Sequence, residues 1–267
     1  MTDAQQPTTF TKERSGNLDQ TLRPHSWEEY IGQAKTKENL RILLTAARER
    51  GHAAQHILLY GPPGLGKTTL ANLIAKTLGT NMRVTSGPAI ERVGDLAAIL
   101  TNLSPGDVLF IDEIHRLPAA VEEYIYPAME DFKIDFTLDS GMHARVVTYR
   151  LKPFTLIGAT TRAGLLTGAL RSRFGITHRL DFYPSDELVT LLERAITRLG
   201  IHTTDPDALA LLAARSRGTP RICLRLLRRA RDYATVKHEG HLDRAVVEAA
   251  LDLEGIDEAG LDTLDRA

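Results

Sequence analysis

The sequence predicts an α/β protein with a parallel sheet and an inserted β-hairpin, followed by a small all-helical domain. Three observations carry that expectation. His56–Tyr60, Met82–Thr85, Val108–Ile111 and Phe154–Ala159 are short, apolar on both faces and bounded by Gly, Pro, Asn or Asp, which marks buried strands. Helical patterns separate them, so the strands are expected to run parallel. After Pro184 the strand signals stop and only helical periodicity remains.

In chain order, residues 1–21 are polar and unpatterned and are expected to form a flexible arm. A large domain over 22–183 opens with a helical pattern from Trp27 to about Arg50, with Leu40, Leu43 and Leu44 on one side. Within it, Phe132, Ile134, Phe136 and Leu138 alternate with polar residues, Asp139-Ser140-Gly141 offers a turn, and Val147, Tyr149 and Leu151 resume the period of two. A hairpin over about 132–151 follows, either as an antiparallel addition to the sheet edge or as a projecting arm with an apolar face. Spacing leaves both open. The small domain, 184–256, holds helical patterns at Ser185–Leu199, Pro206–Arg215 with Asp205 as N-cap, Pro220 to about Lys237, and Leu242–Leu253.

Composition narrows the function classes. Lys and Arg number 33 against 34 Asp and Glu, so bulk charge predicts neither a nucleic-acid coat nor a scavenger of acidic ligands. Polyanion contacts must come from local clusters. The single cysteine, Cys223, forms no internal disulfide and suits a reducing compartment. Met1–Phe10 lacks the basic and apolar pattern of a secretory signal, and apolar runs such as Ala208–Ala214 fall far short of the roughly 20 residues a membrane span needs. A soluble, cytoplasmic protein is expected.

Gly61-Pro62-Pro63-Gly64-Leu65-Gly66-Lys67-Thr68 fits G-x-x-x-x-G-K-[ST] at every fixed position, follows one predicted strand and opens a helix. Glycines let backbone N–H groups close around phosphate oxygens, and the helix N-terminus adds its positive dipole end. Lys67 would reach the β and γ phosphates, and Thr68 would ligate Mg²⁺. A mere Gly/Pro turn leaves the Lys-Thr pair unexplained. Val108–Glu113 is an apolar strand ending in two carboxylates, which places Asp112 near a metal and Glu113 where it would polarise a water. Alone that motif reads as a capped helix start; with the phosphate loop it becomes specific.

Two further motifs are weaker alone. Gly158-Ala159-Thr160-Thr161-Arg162 ends another apolar strand, and its hydroxyls would orient the attacking water. Arg173, before Phe174-Gly175, would present its guanidinium to a γ phosphate on a neighbouring subunit. A solvated arginine on a helix end is the plainer reading. Arg217-Gly218-Thr219-Pro220-Arg221 leads into an Arg-rich helix, where Arg221 would touch phosphates and couple hydrolysis to domain rotation. The other arginines read as a solvated or subunit-facing surface, since no aromatic residues interleave with them.

Together these motifs resemble the RuvB family of AAA+ ATPases almost from end to end. The residues carrying the resemblance include Leu22-Arg23-Pro24, the phosphate loop through Ala71, Thr85-Ser86-Gly87-Pro88, Phe110–Leu117, Tyr126–Asp131, Ile157–Gly164, Arg173-Phe174-Gly175 and Arg217–Arg221. The resemblance implies an AAA+ P-loop core with a helical lid, and a Mg²⁺-dependent ATPase driving Holliday-junction branch migration in a homo-oligomeric ring, a hexamer. It implies that Leu22, Arg23 and Tyr183 line an adenine pocket, and that Gly64, Gly66, Lys67, Thr68 and Thr69 hold the phosphates of ATP or ADP and the metal. Asp112 and Glu113 would be the Walker B pair, Thr161 the first sensor, Arg221 the second and Arg173 the finger in trans. Glu130, Asp131 and Phe132 would lie near the intersubunit nucleotide site. The hairpin is similar to the arm that docks RuvA, the junction-binding partner. The family continues into a winged-helix domain that contacts duplex DNA, whereas this chain stops at Leu261–Ala267, so residues 257–267 are expected to begin a domain that is missing here. A clamp-loader-type assembly switch is the alternative function, and an idle nucleotide-binding scaffold fits poorly with Glu113, Thr161 and Arg173 together.

Overall fold

Apolar residues alternate between two faces along each central strand, and that alternation decides how the helices are shared. A computed structural model of the chain describes residues 21–138, 145–201 and 205–266. Its main sheet has five parallel strands, β1 (Ile57–Tyr60), β2 (Met82–Ser86), β3 (Val108–Asp112), β6 (Thr155–Thr160) and β7 (Ile176–Arg179), in the order β2-β3-β6-β1-β7. Ile57, Leu59, Val108, Phe110, Ile157 and Ala159 point into one core. Leu58, Leu109, Ile111 and Leu156 point into the other. Fully burying each such side chain contributes about 1.5–3 kcal/mol, so a one-residue slip of register, which exchanges the faces, is excluded.

The first core is covered by α1 (Ala34–Arg50) and α2 (Lys67–Leu78), and it continues without a break into the helical lid. The lid comprises α6 (Ser185–Leu199), α7 (Pro206–Arg215), α8 (Pro220–Lys237) and α9 (Arg244–Leu253). The second core lies beneath α3 (Val93–Thr101) and α4 (Ala119–Glu130), with the short α5 (Gly168–Ser172) beside them. Asp205 caps α7 by accepting from the Asp207 N–H, as its position before Pro206 predicts. Asp243 does the same for α9 through the Val246 N–H, so that helix begins at Arg244 and Leu242 packs outside it. The predicted helix from Trp27 is cut short as well. Left-handed Gly32 (φ 76) and Gln33 (φ 54) break the run, α1 starts at Ala34, and Trp27 and Tyr30 are buried in the irregular strap before it.

Two sheet edges depart from the sequence expectation. The β2 edge is not buried on both faces, since Val84 is 60% exposed. The other edge, β7, has no counterpart among the predicted strands, because Ile-Thr-His-Arg carries one apolar residue and alternates half-buried with exposed positions.

The hairpin strands β4 (Lys133–Leu138) and β5 (Arg145–Arg150) pair antiparallel as a separate two-stranded sheet, so the edge-addition reading does not hold. The predicted turn residues Asp139-Ser140-Gly141, like most of the N-terminal arm, lie outside the described residues. Ile134 faces Tyr149 and Phe136 faces Val147. Ile134 is buried against the second core, while Val146, Val147 and Tyr149 stay exposed. At the hairpin base the Leu151 N–H donates to the Phe132 carbonyl at 2.7 Å, and the Phe132 ring sits edge-on to Phe154 with centroids 5.7 Å apart.

His56 completes that base. Its Nδ1 accepts from the Leu156 N–H and its Nε2 donates to the Met129 carbonyl, both at 2.9 Å, which fixes the neutral tautomer. Burial pushes the imidazole pKa below its ordinary 6.5, with the Met129 contact opposing the shift. Well above pH 6.5 the ring is neutral whether the chain is folded or unfolded. As pH falls below that value the unfolded chain takes up the proton first, and stability is lost at up to about 1.4 kcal/mol per pH unit. Urea midpoints are expected to drop between pH 7.5 and 5.5, and a His56→Gln variant is expected to lose part of that slope. An unchanged slope would contradict the assignment.

Candidate nucleotide site

The parallel register brings three strand ends together, because Tyr60 pairs with Thr160 while Ile111 pairs with Gly158. Ligands of open parallel sheets bind beyond such carboxyl ends. From β1 the chain enters the loop Gly61–Gly66, where Gly64 (φ 80) and Gly66 (φ 98) occupy left-handed conformations that side chains rarely adopt. A Cβ at Gly64 would meet Thr219 Cγ2 at 2.8 Å, and one at Gly66 would meet the Tyr30 hydroxyl at 3.0 Å. Glycine is thus required twice over, by backbone conformation and by close packing against the lid and the strap.

Lys67, the first residue of α2, is buried, and its ammonium donates to the Gly61 and Pro62 carbonyls at 2.8 and 2.9 Å. Burial lowers its pKa, and the carboxylates of Asp112 and Glu113 pull it back up. β3 delivers those two carboxylates. Asp112 Oδ1 accepts from the Glu113 N–H at 2.9 Å, and Glu113 is itself left-handed at φ 50. From the end of β6, the Thr161 hydroxyl donates to the Glu113 carboxylate at 3.3–3.4 Å.

A cleft of about 540 Å³ runs between the phosphate loop and the lid. It gathers Leu22, Arg23, Gly64, Gly66, Lys67, Thr68, Thr69, Asp112, Glu113, Thr161, Tyr183 and Arg221, which are the sequence-predicted nucleotide, metal and sensor residues with four exceptions. The lid touches the loop directly, for the Arg221 N–H donates to the Gly64 carbonyl at 3.3 Å. Burial pushes the Tyr183 phenol up to about 12, so it stays protonated, and it donates to the Tyr30 hydroxyl at 3.4 Å.

Arg173, Glu130, Asp131 and Phe132 are the exceptions, since none of them lines the cleft. Arg173 Nε lies 3.2 Å from Glu130 Oε1, its guanidinium carbon is 4.1 Å from the centroid of the Tyr126 ring, and Nη1 donates to the Ala169 carbonyl at 2.7 Å. Asp131 pairs with Lys133 at 2.7 Å, and Phe132 packs at the hairpin base.

Several cleft residues escaped the sequence reading, among them Tyr30, Arg194 and Arg198, and Arg225 and Arg228 line the cleft although the sequence reads them as a solvated or subunit-facing surface. Tyr30 sits in a strap that reads as helix, while Arg194 and Arg198 lie one turn apart on α6, which the sequence marks only as a helical pattern. In the fold Arg194 donates to the Glu28 and Glu29 carbonyls at 3.0 Å, and Arg198 pairs with the Glu29 carboxylate at 2.9 Å, tying lid to strap. The signal available was their i, i+4 spacing, which places both on one helix face.

The site fits a magnesium nucleotide by its donor set. Thr68 and Asp112 offer two oxygen donors beside the phosphate loop, and Mg²⁺ takes one or two protein oxygens with the rest from phosphate and water.

Residues 22–180 match the family model described as the Holliday junction DNA helicase RuvB P-loop domain, and residues 183–257 match the RuvB AAA lid domain. The chain belongs to the RuvB family. Among solved structures it is similar to the Thermotoga maritima RuvB Holliday junction branch migration motor, at 49% identity and a TM-score of 0.83, over 92% of this chain and 77% of that one. A point variant of Thermotoga maritima RuvB gives 49% identity and a TM-score of 0.85 over the same shares. RuvB membership supplies what single motifs lack, because the strap, phosphate loop and lid fall within two RuvB models that meet at the cleft.

Proposed function

We propose that this chain is the ATP-hydrolysing motor subunit of a Holliday-junction branch-migration machine, acting in DNA recombination and repair. The observation that carries the reading is the cleft itself, in which the phosphate loop, the Asp112–Glu113 pair, Thr161 and lid Arg221 converge within a RuvB-family chain. In the ground state the Gly64–Thr69 backbone and Lys67 hold the triphosphate, while Leu22, Arg23, Tyr30 and Tyr183 enclose the base side. Glu113 takes a proton from the attacking water, whose oxygen bonds to the γ phosphorus as the bond to the β–γ bridging oxygen breaks. ADP and phosphate leave. Lys67 meets the charge that develops on the phosphate oxygens, and Thr161 holds the Glu113 carboxylate in place. Thr68 and Asp112 would hold Mg²⁺, which would supply positive charge against the phosphate oxygens.

Arg221 reports phosphate occupancy to the lid because its backbone is already bonded to Gly64. The subunit is proposed to work in the cytoplasm within a homo-hexameric ring, with Arg173 serving the neighbouring subunit's nucleotide and a RuvA-type partner docked on the hairpin at its exposed Val147 and Tyr149. No described helix is long and apolar enough to cross a membrane. The test is steady-state ATPase activity with and without Mg²⁺, then with a synthetic four-way junction and a RuvA-type protein, read together with strand exchange of the junction. Mg²⁺-dependent turnover that rises with junction and partner is expected. Turnover indifferent to both, with no strand exchange, would favour the clamp-loader-type alternative.

A further inference from the structure

The carboxylate assigned as general base has a second neighbour, a buried one, at the same Oε2 that Thr161 reaches. His115, in the 3₁₀ turn Ile114–Arg116 that follows β3, places Nε2 3.4 Å from Glu113 Oε2, and its side chain is only 5% exposed. The other ring nitrogen, Nδ1, lies 2.8 Å from the Thr160 hydroxyl oxygen. Thr160 is fully buried at the end of β6, and its oxygen already accepts the Arg162 N–H at 3.0 Å. A buried hydroxyl proton needs an acceptor, and His115 Nδ1 is the one this structure offers it. Thr160 therefore donates to Nδ1. That places a ring proton on Nε2, the nitrogen 3.4 Å from Glu113 Oε2.

We infer that His115 is a positioning residue for hydrolysis, restraining the Glu113 carboxylate through a Thr160–His115 relay in addition to the hold that Thr161 has on it. Two adjacent residues at one strand tip thus reach the same carboxylate, Thr161 directly and Thr160 through the imidazole. The arrangement is needed because Glu113 sits on a left-handed backbone and its hydrogen bonds to Thr161 are long, so one contact leaves the carboxylate free to swing. The inference rests on the reading of Glu113 as general base.

The experiment compares His115→Ala, His115→Gln, Thr160→Val and Glu113→Gln in the full chain. Each variant is measured for kcat, for affinity toward a fluorescent ATP analogue with Mg²⁺, and for thermal unfolding. His115→Ala is expected to lower kcat about 10-fold or more, part of the roughly 10²–10⁴-fold that a positioned general base supplies. Nucleotide affinity should stay within about 2-fold. His115→Gln, whose amide N–H reaches the same direction, should recover most of the turnover, and Thr160→Val should show a smaller loss of the same kind. On a Glu113→Gln background, removing His115 should cost nothing further. Normal kcat in His115→Ala, or a loss matched by equal losses of affinity and stability and unrescued by Gln, would overturn the positioning role. Retained turnover in Glu113→Gln would instead overturn the general-base reading, so the two failures are distinguishable.

Discussion

The Arg173→Ala protein is expected to bind ATP as the parent does and to turn it over about 10³-fold or more slowly, the range an arginine finger contributes. Arg173 lines no part of its own chain's cleft, so its removal leaves the phosphate loop and the strap untouched. On the proposed trans role, what it loses is contact with a neighbouring subunit's nucleotide. The guanidinium is held at home by the Ala169 carbonyl, the Tyr126 face and Glu130, whose side chain is 55% exposed, and the ion pair among these contacts is worth only about 0–1 kcal/mol. The decisive measurement is a mixture. Arg173→Ala has an intact cleft and no finger, while Lys67→Ala has a finger and a disabled cleft. Combined in one assembly, they should recover turnover that neither shows alone. Mixed assemblies, verified by a tag on one variant, that stay inactive would end the trans assignment, as would full turnover by Arg173→Ala alone.

Lys67→Ala is the second large effect, expected to lower kcat about 10²- to 10³-fold, as loss of one preorganised donor at a developing anion does. Weaker triphosphate binding adds to that loss. The ammonium is buried, bonded to the Gly61 and Pro62 carbonyls and attracted by Asp112 and Glu113, so it is already oriented before any ligand arrives. Lys67→Arg is expected to recover little, because a planar fork does not reproduce a compact ammonium seated between two carbonyls. The check is isothermal titration with ATP·Mg²⁺ beside single-turnover hydrolysis. Parent-like single-turnover rates in Lys67→Ala would contradict the role given to it.

The central strands β1, β3 and β6 were legible because burial on both faces leaves an apolar run in the sequence. β7 was not, since an edge strand half in solvent needs few apolar residues and Ile176-Thr177-His178-Arg179 supplies one. The strap from Thr21 to Gln33 was misread as partly helical because Trp27, Tyr30 and Ile31 carry the apolar content of a helix. Their irregular path is imposed by Gly32 and Gln33 and by contacts such as Trp27 Nε1 to Thr77 Oγ1 at 2.7 Å, 50 residues away. Arg194 and Arg198 carry no local signal of a role, and the strap gives them their partners, carbonyls for both and the Glu29 carboxylate for Arg198.

The sequence by itself determined the chemistry on offer. A phosphate loop is a local object, since its glycines, its lysine and the helix behind them act within eight consecutive residues, so spacing alone announces it. The same holds for the carboxylate pair at the end of β3 and for the capped helices of the lid. Tertiary structure alone decided which distant groups meet. Parallel register carries Thr160 and Thr161 to the side of Glu113, lid packing sets Arg221 on Gly64, and the same fold turns Arg173 away from its own cleft. Those juxtapositions join residues 45 or more positions apart. Local spacing carries no information about them, because they follow from how two apolar faces of one sheet are shared between its helices and its lid.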